Sequence, residues 1–168
     1  MSFSLFFSMV ELINILKYRF VWSNIFLSLI FVGLSFFVSQ LASIAFILLS
    51  NLFDIFGYHF SLLRRSNQPP EKIIIKSYRI NQFMYDLVLL VLIGLYFGWS
   101  ISISGWILKF FGVQDILYYL FLGINLPEKW TWMKWTPFGF MKGNMSKKEI
   151  IIQSIAGVLI ATIILMIK

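Results

Sequence analysis

The chain has 168 residues, of which 60% are hydrophobic and 12% are charged, and its formal net charge is +7. Soluble domains average about 25% charged residues, so this composition excludes an ordinary soluble protein and favours a single integral membrane domain over residues 1–168. The absence of cysteine from the sequence excludes disulfides and thiolate metal sites. Most basic residues lie beside apolar segments, so we expect membrane lipids as partners and no nucleic acid.

The first element is an apolar N-terminal segment with one polar stripe. Ser4, Ser8, Glu11 and Asn14 recur every three or four residues, which predicts an amphipathic helix lying in the membrane interface. No basic region precedes the segment and no A-x-A-like site follows it, so a cleaved signal peptide is not expected.

Five apolar segments follow, and each is predicted to span the membrane. The first two share the 34 residues between Arg19 and Asp54, which include no ionisable side chain. One helix of that length would measure roughly 51 Å, against ~30 Å for the hydrocarbon core, so a turn is expected at Ser39-Gln40. The predicted spans are residues 20–38, 41–62, 83–99, 106–123 and 149–167. The expected fold is an all-α polytopic membrane helix bundle with about five transmembrane helices and an N-terminal interfacial amphipathic helix.

Local signals mark the ends of the later spans. A turn over Ser100–Gly105 is predicted between spans three and four, with Trp99 and Trp106 at the headgroup level on either side. Ser146 and Glu149 have the spacing of a capping box, which predicts that the last helix begins there.

The basic residues determine the predicted orientation. The N-terminal segment and the two long loops hold two, five and five Lys and Arg residues, twelve of the 14 in the chain. The positive-inside rule then places the N-terminus in the cytoplasm and the C-terminus outside, in a multi-pass protein of the cell membrane. A four-span alternative, in which span three ends near Leu108, leaves six basic residues outside and ranks second. The Asn144-Met145-Ser146 sequence matches a glycosylation acceptor, and the five-span topology places it on the cytoplasmic side.

Three aspartates fall inside predicted spans, and each would cost roughly 3 kcal/mol near the bilayer centre. We therefore expect Asp54, Asp86 and Asp115 to face the bundle interior, with Tyr58 and Tyr119 as hydrogen-bond partners on the same helix faces. These five residues are the predicted catalytic site. Carboxylates held away from water can act as acids, bases or proton carriers, and they also suit Mg²⁺. The alternative for each aspartate is a purely structural pairing.

Two details of spans two and four bear on this site. His59 follows Asp54 by five residues, about 140° around an α-helix, so the two are predicted to face different ways and His59 to lie at the interface. Gly112 leaves open an interruption of span four, as in the discontinuous helices of transporters.

Two surface features are predicted to contact lipid or a partner helix. Lys72, Lys76 and Arg79 share one face of a helix beginning near Pro69–Glu71 and are predicted to bind lipid headgroups. Gly94 and Gly98 allow close approach of a helix, which predicts a helix–helix partner there. Three tryptophans interleaved with lysines predict an interfacial anchor: Trp130, Trp132 and Trp135.

No nucleotide-binding, zinc-protease or serine-hydrolase motif occurs in the sequence, and no cofactor is indicated. The interior carboxylates favour a membrane-embedded enzyme that acts on a lipid or isoprenoid substrate near the inner leaflet. Two alternatives stay open. One is a small transporter or proton-coupled carrier that uses the same carboxylates. The other is a non-catalytic accessory subunit of a membrane complex.

Overall fold

The computed structural model describes residues 20–63, 72–134 and 136–167, without the side chains of residues 61–63. The predicted N-terminal amphipathic helix, the helix start near Pro69–Glu71 and Trp135 lie outside this part of the chain. Its secondary structure is helical apart from one two-stranded ribbon. The all-α prediction is therefore confirmed for the described residues.

Seven α-helices run through the described residues, together with a 3₁₀ turn, a π-helix and two short strands. In chain order they are α1 (Val21–Ser35), the 3₁₀ turn (Ser39–Leu41), α2 (Ala42–Asp54), the π-helix (Ile55–Leu63), α3 (Lys72–Phe97), α4 (Trp99–Phe110), α5 (Val113–Leu122), β1 (Lys129–Trp130), α6 (Pro137–Lys142), β2 (Met145–Ser146) and α7 (Lys147–Met166).

Three to four of these helices are long and apolar enough to cross a membrane. Three qualify alone: Ser39–Phe60, Lys72–Phe97 and Lys147–Met166. Helices α4 and α5 qualify only as a pair, bent by 66° at the break between them. Helix α1 is a shorter apolar helix of 15 residues, about 22 Å in length. These helices are consistent with residence in a membrane.

The chain reverses between the third and fourth predicted spans at a different place from the one expected. The predicted turn over Ser100–Gly105 is wrong, because that segment is helical within α4. The reversal takes place at Gly98, whose φ of 113° is a conformation that glycine adopts at little cost.

Helix α4 then folds back along α3. The Trp99 ring packs so closely on Gly94 that a Cβ on Gly94 would lie 2.6 Å from a ring atom. The Ser102 hydroxyl donates a hydrogen bond to the Leu90 carbonyl. A four-span topology in which span three continues to Leu108 does not fit this reversal. Helix α4 is central to the bundle, since it also packs against α2 and α7.

Other local predictions are confirmed. The first hairpin turns through the 3₁₀ segment at Ser39–Leu41, as the length of the apolar stretch required. Ser146 and Glu149 form a capping box at the start of α7, with the Ser146 hydroxyl accepting from the Glu149 backbone N–H. The interruption at Gly112 is also present, with a left-handed φ of 85° between α4 and α5.

The break between α4 and α5 is held by α7. A broken helix frees backbone groups, which must find other partners within a membrane. The freed Phe111 carbonyl accepts from Gln153 Nε2 and from the Ser154 hydroxyl, each at 3.2 Å. Gln153 Oε1 in turn accepts from the Phe138 backbone N–H at 2.8 Å. One glutamine therefore joins the helix break to the start of α6.

The connection between α5 and α7 folds back onto the bundle. Strands β1 and β2 pair antiparallel, with Trp130 opposite Met145. The Trp130 side chain is fully buried against Met133 and Ile150, so the prediction of an interfacial anchor is wrong for this tryptophan. The Trp130 ring also contacts that of Trp132, with 5.1 Å between the ring centroids.

Candidate functional site

A partly open cavity of about 280 Å³ lies at one end of the bundle. Two carboxylates, Asp54 and Asp115, line it together with Arg79 and His59. Its other described walls are mainly aromatic, from Tyr58, Tyr78, Tyr118, Tyr119 and Trp132. The cavity thus receives side chains from α2, the π-helix, α3, α5 and the connection after α5.

Asp54 is the last residue of α2 and accepts hydrogen bonds from three side chains. Gln82 Nε2 lies 2.7 Å from Oδ1 and 2.9 Å from Oδ2. The Tyr78 hydroxyl also donates to Oδ1, and Gln114 Nε2 donates to Oδ2. Because these donors come from α3 and α5, the Asp54 carboxylate joins three helices at the cavity wall.

A reciprocal pair of contacts sets the register of α2 against α3. Ser50 and Asp54 lie one turn apart on α2, and Gln82 and Asp86 lie one turn apart on α3. The Ser50 hydroxyl donates to Asp86 Oδ1 at 3.0 Å, while Gln82 donates to Asp54. These contacts, one helical turn apart, fix the antiparallel register of the two helices. The sequence identified both aspartates but gave no signal for Gln82.

Asp86 forms a buried ion pair with Lys109 of α4. Lys109 Nζ lies 2.7 Å from Asp86 Oδ1 and 2.6 Å from Oδ2, and both side chains are at most 10% exposed. Asp86 is not among the described residues that line the cavity. The structure therefore brings Asp54 and Asp115 to one cavity and places Asp86 in a separate pair. The catalytic assignment of the three aspartates stays a prediction.

Asp115 has a sparser environment than the other two aspartates. Trp132 Nε1 donates to Asp115 Oδ1 at 3.3 Å, slightly longer than the ~2.7–3.2 Å usual for N–H···O hydrogen bonds. Within the described residues, Trp132 is the one side chain that donates to this carboxylate. Asp115 is thus the cavity carboxylate with the most capacity left for a ligand or a proton.

The π-helix alters the direction of His59. An α-helical projection turns His59 away from Asp54, but both side chains line the same cavity, so that prediction is wrong. Hydrogen bonding from i to i+5 widens each turn, which returns a residue five positions later to the same side. His59 Nδ1 and the Tyr118 hydroxyl form a hydrogen bond of 3.1 Å, whose direction follows the imidazole tautomer.

Arg79 lies at the rim of the cavity, where two aromatic rings and an amide hold it. Its guanidinium carbon is 5.7 Å from the Tyr58 ring centroid and 6.0 Å from the Tyr78 centroid, within cation–π range. Its Nη1 donates to Gln82 Oε1 at 2.7 Å. Gln82 therefore connects Arg79 to Asp54 through the two ends of one amide group.

Of the remaining predicted site residues, the two tyrosines line the cavity and the two lysines lie outside its described lining. Tyr58 packs beside Arg79, and the Asp54 partner expected there is supplied by Tyr78 instead. Tyr119 lines the cavity, with its ring 5.3 Å from Trp130 and 6.4 Å from Trp132 between centroids. Lys72 and Lys76 are exposed on the first turns of α3 and lie outside the described cavity lining.

The predicted metal and partner features have the following surroundings. Among the described residues, no group of three or more His, Asp or Glu side chains is arranged to hold a metal ion. Gly94 is covered by Trp99 of the same chain, whereas a Cβ on Gly98 would meet no atom within 4 Å. A helix partner at Gly94 and Gly98 stays a prediction.

No protein family model, curated protein or solved structure matches this chain. The site itself combines two carboxylates, a histidine–tyrosine hydrogen bond and an arginine around one opening. It suits proton transfer to or from a bound polar group.

Proposed function

We propose that the protein is a membrane-embedded enzyme that acts on a lipid or isoprenoid substrate at the inner leaflet. The observation that carries this proposal is the cavity, in which Asp54 and Asp115 meet the His59–Tyr118 pair at one end of an apolar bundle. Ionisable groups are expensive within a membrane, and their concentration at an opening is a feature of functional sites.

The two carboxylates have different roles in this proposal. Asp54 accepts hydrogen bonds from three side chains and acts as a fixed anion that orients Gln82 and Gln114. Asp115 accepts one side-chain hydrogen bond within the described residues and is the carboxylate that contacts and positions the substrate. The His59–Tyr118 pair exchanges a proton with the substrate across the cavity.

The proposal includes a topology of five passes, with the N-terminal amphipathic helix in the interface, the N-terminus in the cytoplasm and the C-terminus outside. Helix α1 and the bent pair α4–α5 supply two passes in addition to the three long helices. The cavity lies at the end of the bundle where the two long basic connections meet the helices, which supports a cytoplasmic opening.

Single cysteines test this topology without background labelling, because the sequence contains none. In intact cells, Ile167→Cys should react with a membrane-impermeant thiol reagent, and Phe140→Cys should react only after the cells are opened. Both positions are exposed in the structure. Labelling of Phe140→Cys in intact cells would contradict the proposed orientation.

The enzymatic proposal is tested by lipid mass spectrometry on cells that lack the native gene. Wild-type protein should change the abundance of at least one lipid species, and Asp115→Asn should lower that conversion by about 10²-fold, as expected when a substrate loses the group that positions it. Glu128→Gln, at an exposed position outside the described lining, is the matched control. Identical lipid profiles with wild-type and folded Asp115→Asn protein would refute the proposal.

A proton-coupled carrier is the second candidate, and the break at Gly112 favours it. Discontinuous helices place ligand groups near the membrane interior in secondary transporters. Here the break precedes Gln114 and Asp115, both at the start of α5. Proton movement into proteoliposomes that Asp115→Asn abolishes, without any change in lipid composition, would support a carrier over an enzyme.

A further inference from the structure

The cavity has an unequal distribution of charge. Its described lining contains two carboxylates and one guanidinium, and that guanidinium contacts Gln82, Tyr58 and Tyr78 on the Asp54 side. Asp86 is already paired with Lys109. Within the described part of the chain, no basic side chain forms an ion pair with Asp115. A half-buried carboxylate that lines a cavity without an ion-pair partner favours a ligand of opposite charge.

We propose that the cavity binds the headgroup of a zwitterionic phospholipid, with the ammonium group at Asp115 and the phosphate at Arg79. This inference rests on the proposed function, because it names the class of substrate for the same site. The two ends of such a headgroup carry opposite charges, which match the Asp115 carboxylate and the Arg79 guanidinium in the cavity lining.

The surroundings of Asp115 suit an ammonium group. Tyr118 and Tyr119 follow Asp115 by three and four residues on α5, so all three lie on one helix face. Trp132 donates its indole N–H to Asp115, and its ring stacks on that of Tyr119 with 26° between the ring planes. Aromatic faces attract organic cations, and tryptophan and tyrosine do so most strongly. A carboxylate among such rings distinguishes a cationic group from a neutral group of the same shape.

The surroundings of Arg79 suit a phosphate. The guanidinium has five N–H donors, and Gln82 occupies one of them. Arg79 is exposed at the rim, which leaves the other donors accessible. Its planar fork can bind two phosphate oxygens at once. Lys72 and Lys76 lack this placement, since neither lines the described cavity.

The size of the cavity restricts the ligand to a headgroup. Sites for small molecules usually measure roughly 300–1,000 Å³, and this cavity of about 280 Å³ is just below that range. Acyl chains would remain outside in the membrane. The exposed Ile124 at the cavity wall provides an apolar side along which they can leave.

The test measures binding to the full chain in nanodiscs of an anionic lipid without an ammonium group, by titration calorimetry. The ligands are glycerophosphocholine, choline, inorganic phosphate and 3,3-dimethylbutan-1-ol, the uncharged isostere of choline. We expect glycerophosphocholine to bind at least about tenfold more tightly than choline or phosphate alone, and the isostere not to bind. Equal binding of choline and its isostere would overturn the proposal.

Variants assign the two ends of the headgroup. Asp115→Asn should weaken choline binding at least about tenfold, and Asp115→Glu should retain it. Arg79→Gln should weaken glycerophosphocholine to the level of choline and leave choline itself unchanged. The control Lys148→Gln, at an exposed position outside the described lining, should bind like wild type. If Asp115→Asn does not fold, two other measurements still decide the question. They are whether Asp115→Glu binds choline and whether the wild type fails to bind the uncharged isostere. Unchanged affinities in Asp115→Asn and Arg79→Gln would refute the assignment.

Two further arms identify the source of the headgroup and separate this inference from the proposed function. Phosphatidylcholine or phosphatidylethanolamine in the nanodisc should compete with glycerophosphocholine. If neither lipid competes, the proposal that the ligand is a lipid headgroup is refuted. Selective ammonium binding with an unchanged lipid profile would refute only the enzyme. A changed lipid profile without ammonium selectivity would refute only the inference made here.

Discussion

The Asp86–Lys109 pair allows a stability prediction of defined size. At the observed separations of 2.6 and 2.7 Å, the attraction between the two charges is about 6 kcal/mol at an effective dielectric constant of about 20. Removing both charges from water offsets most of that attraction, so the pair adds little net stability. Removing one partner is different, because the remaining charge stays buried at the junction of α2, α3 and α4.

We therefore expect Lys109→Met and Asp86→Asn each to lower the free energy of unfolding by about 3–5 kcal/mol. The double variant should lie within about 2 kcal/mol of wild type, because an asparagine in place of Asp86 is neutral and its amide oxygen can still accept from Ser50. The wild type, the two single variants and the double variant form a double-mutant cycle. The free energy of unfolding of each is measured in mixed micelles with increasing dodecyl sulfate, followed by far-ultraviolet circular dichroism.

Lys142→Met is the matched control for this cycle. Lys142 also pairs with a carboxylate, that of Glu149, but its side chain is 58% exposed. Its loss should leave the unfolding midpoint unchanged within error. A loss of less than about 1 kcal/mol in Lys109→Met, or a double variant as unstable as the sum of the two single changes, would refute the argument.

Two further predictions use the same unfolding assay. Gly112→Ala should cost about 1–3 kcal/mol, because the residue has a left-handed φ of 85° and its Cβ would lie 2.6 Å from Ile150. Gly33→Ala, within α1 and with no atom within 4 Å of the new Cβ, should instead gain about 0.5–1 kcal/mol. Gln153→Leu should cost about 1–3 kcal/mol, because it leaves the Phe138 N–H without its acceptor and removes one donor from the Phe111 carbonyl. Equal stability of the two alanine variants would contradict the first prediction, and a neutral Gln153→Leu would contradict the second.

Features set by local sequence could be predicted well. The length of the uncharged stretch required a reversal, and the 3₁₀ turn at Ser39–Leu41 supplies it. The capping box at Ser146 depends on two residues three positions apart, so it is visible without any knowledge of tertiary structure. The inward direction of Asp54 followed from the high cost of exposing a carboxylate to lipid.

Composition misled the prediction at Ser100–Gly105, where serines and a glycine resemble a turn. In the structure, these small polar residues lie at helix contacts. The Ser102 hydroxyl donates to the Leu90 carbonyl on α3, and the Ser104 hydroxyl donates to the Ala161 carbonyl on α7. Small residues allow close helix packing in membranes, so a segment rich in serine and glycine can form either a turn or a packed helix.

Features that depend on several helices could not be predicted. Gln82 and Gln114 are ordinary polar residues in the sequence, and only the packing of α3 and α5 against α2 brings them to Asp54. The π-helix has no local signal that distinguishes it from an α-helix, yet it determines whether His59 reaches the cavity. Spacing arguments fail wherever the helical period itself changes.

The way in which the Phe111 carbonyl is held has a consequence for distant substitutions. Asp115, Tyr118 and Tyr119 all belong to the ten-residue α5, whose direction is set at Gly112 and whose preceding carbonyl is bound by Gln153 and Ser154. A shift of α7 along its axis would therefore tilt α5 and alter the width of the opening that these side chains border. Bilayer thickness affects the position of long membrane helices such as α7. A change in lipid composition can therefore alter the position of the Asp115 carboxylate without any lipid contacting it.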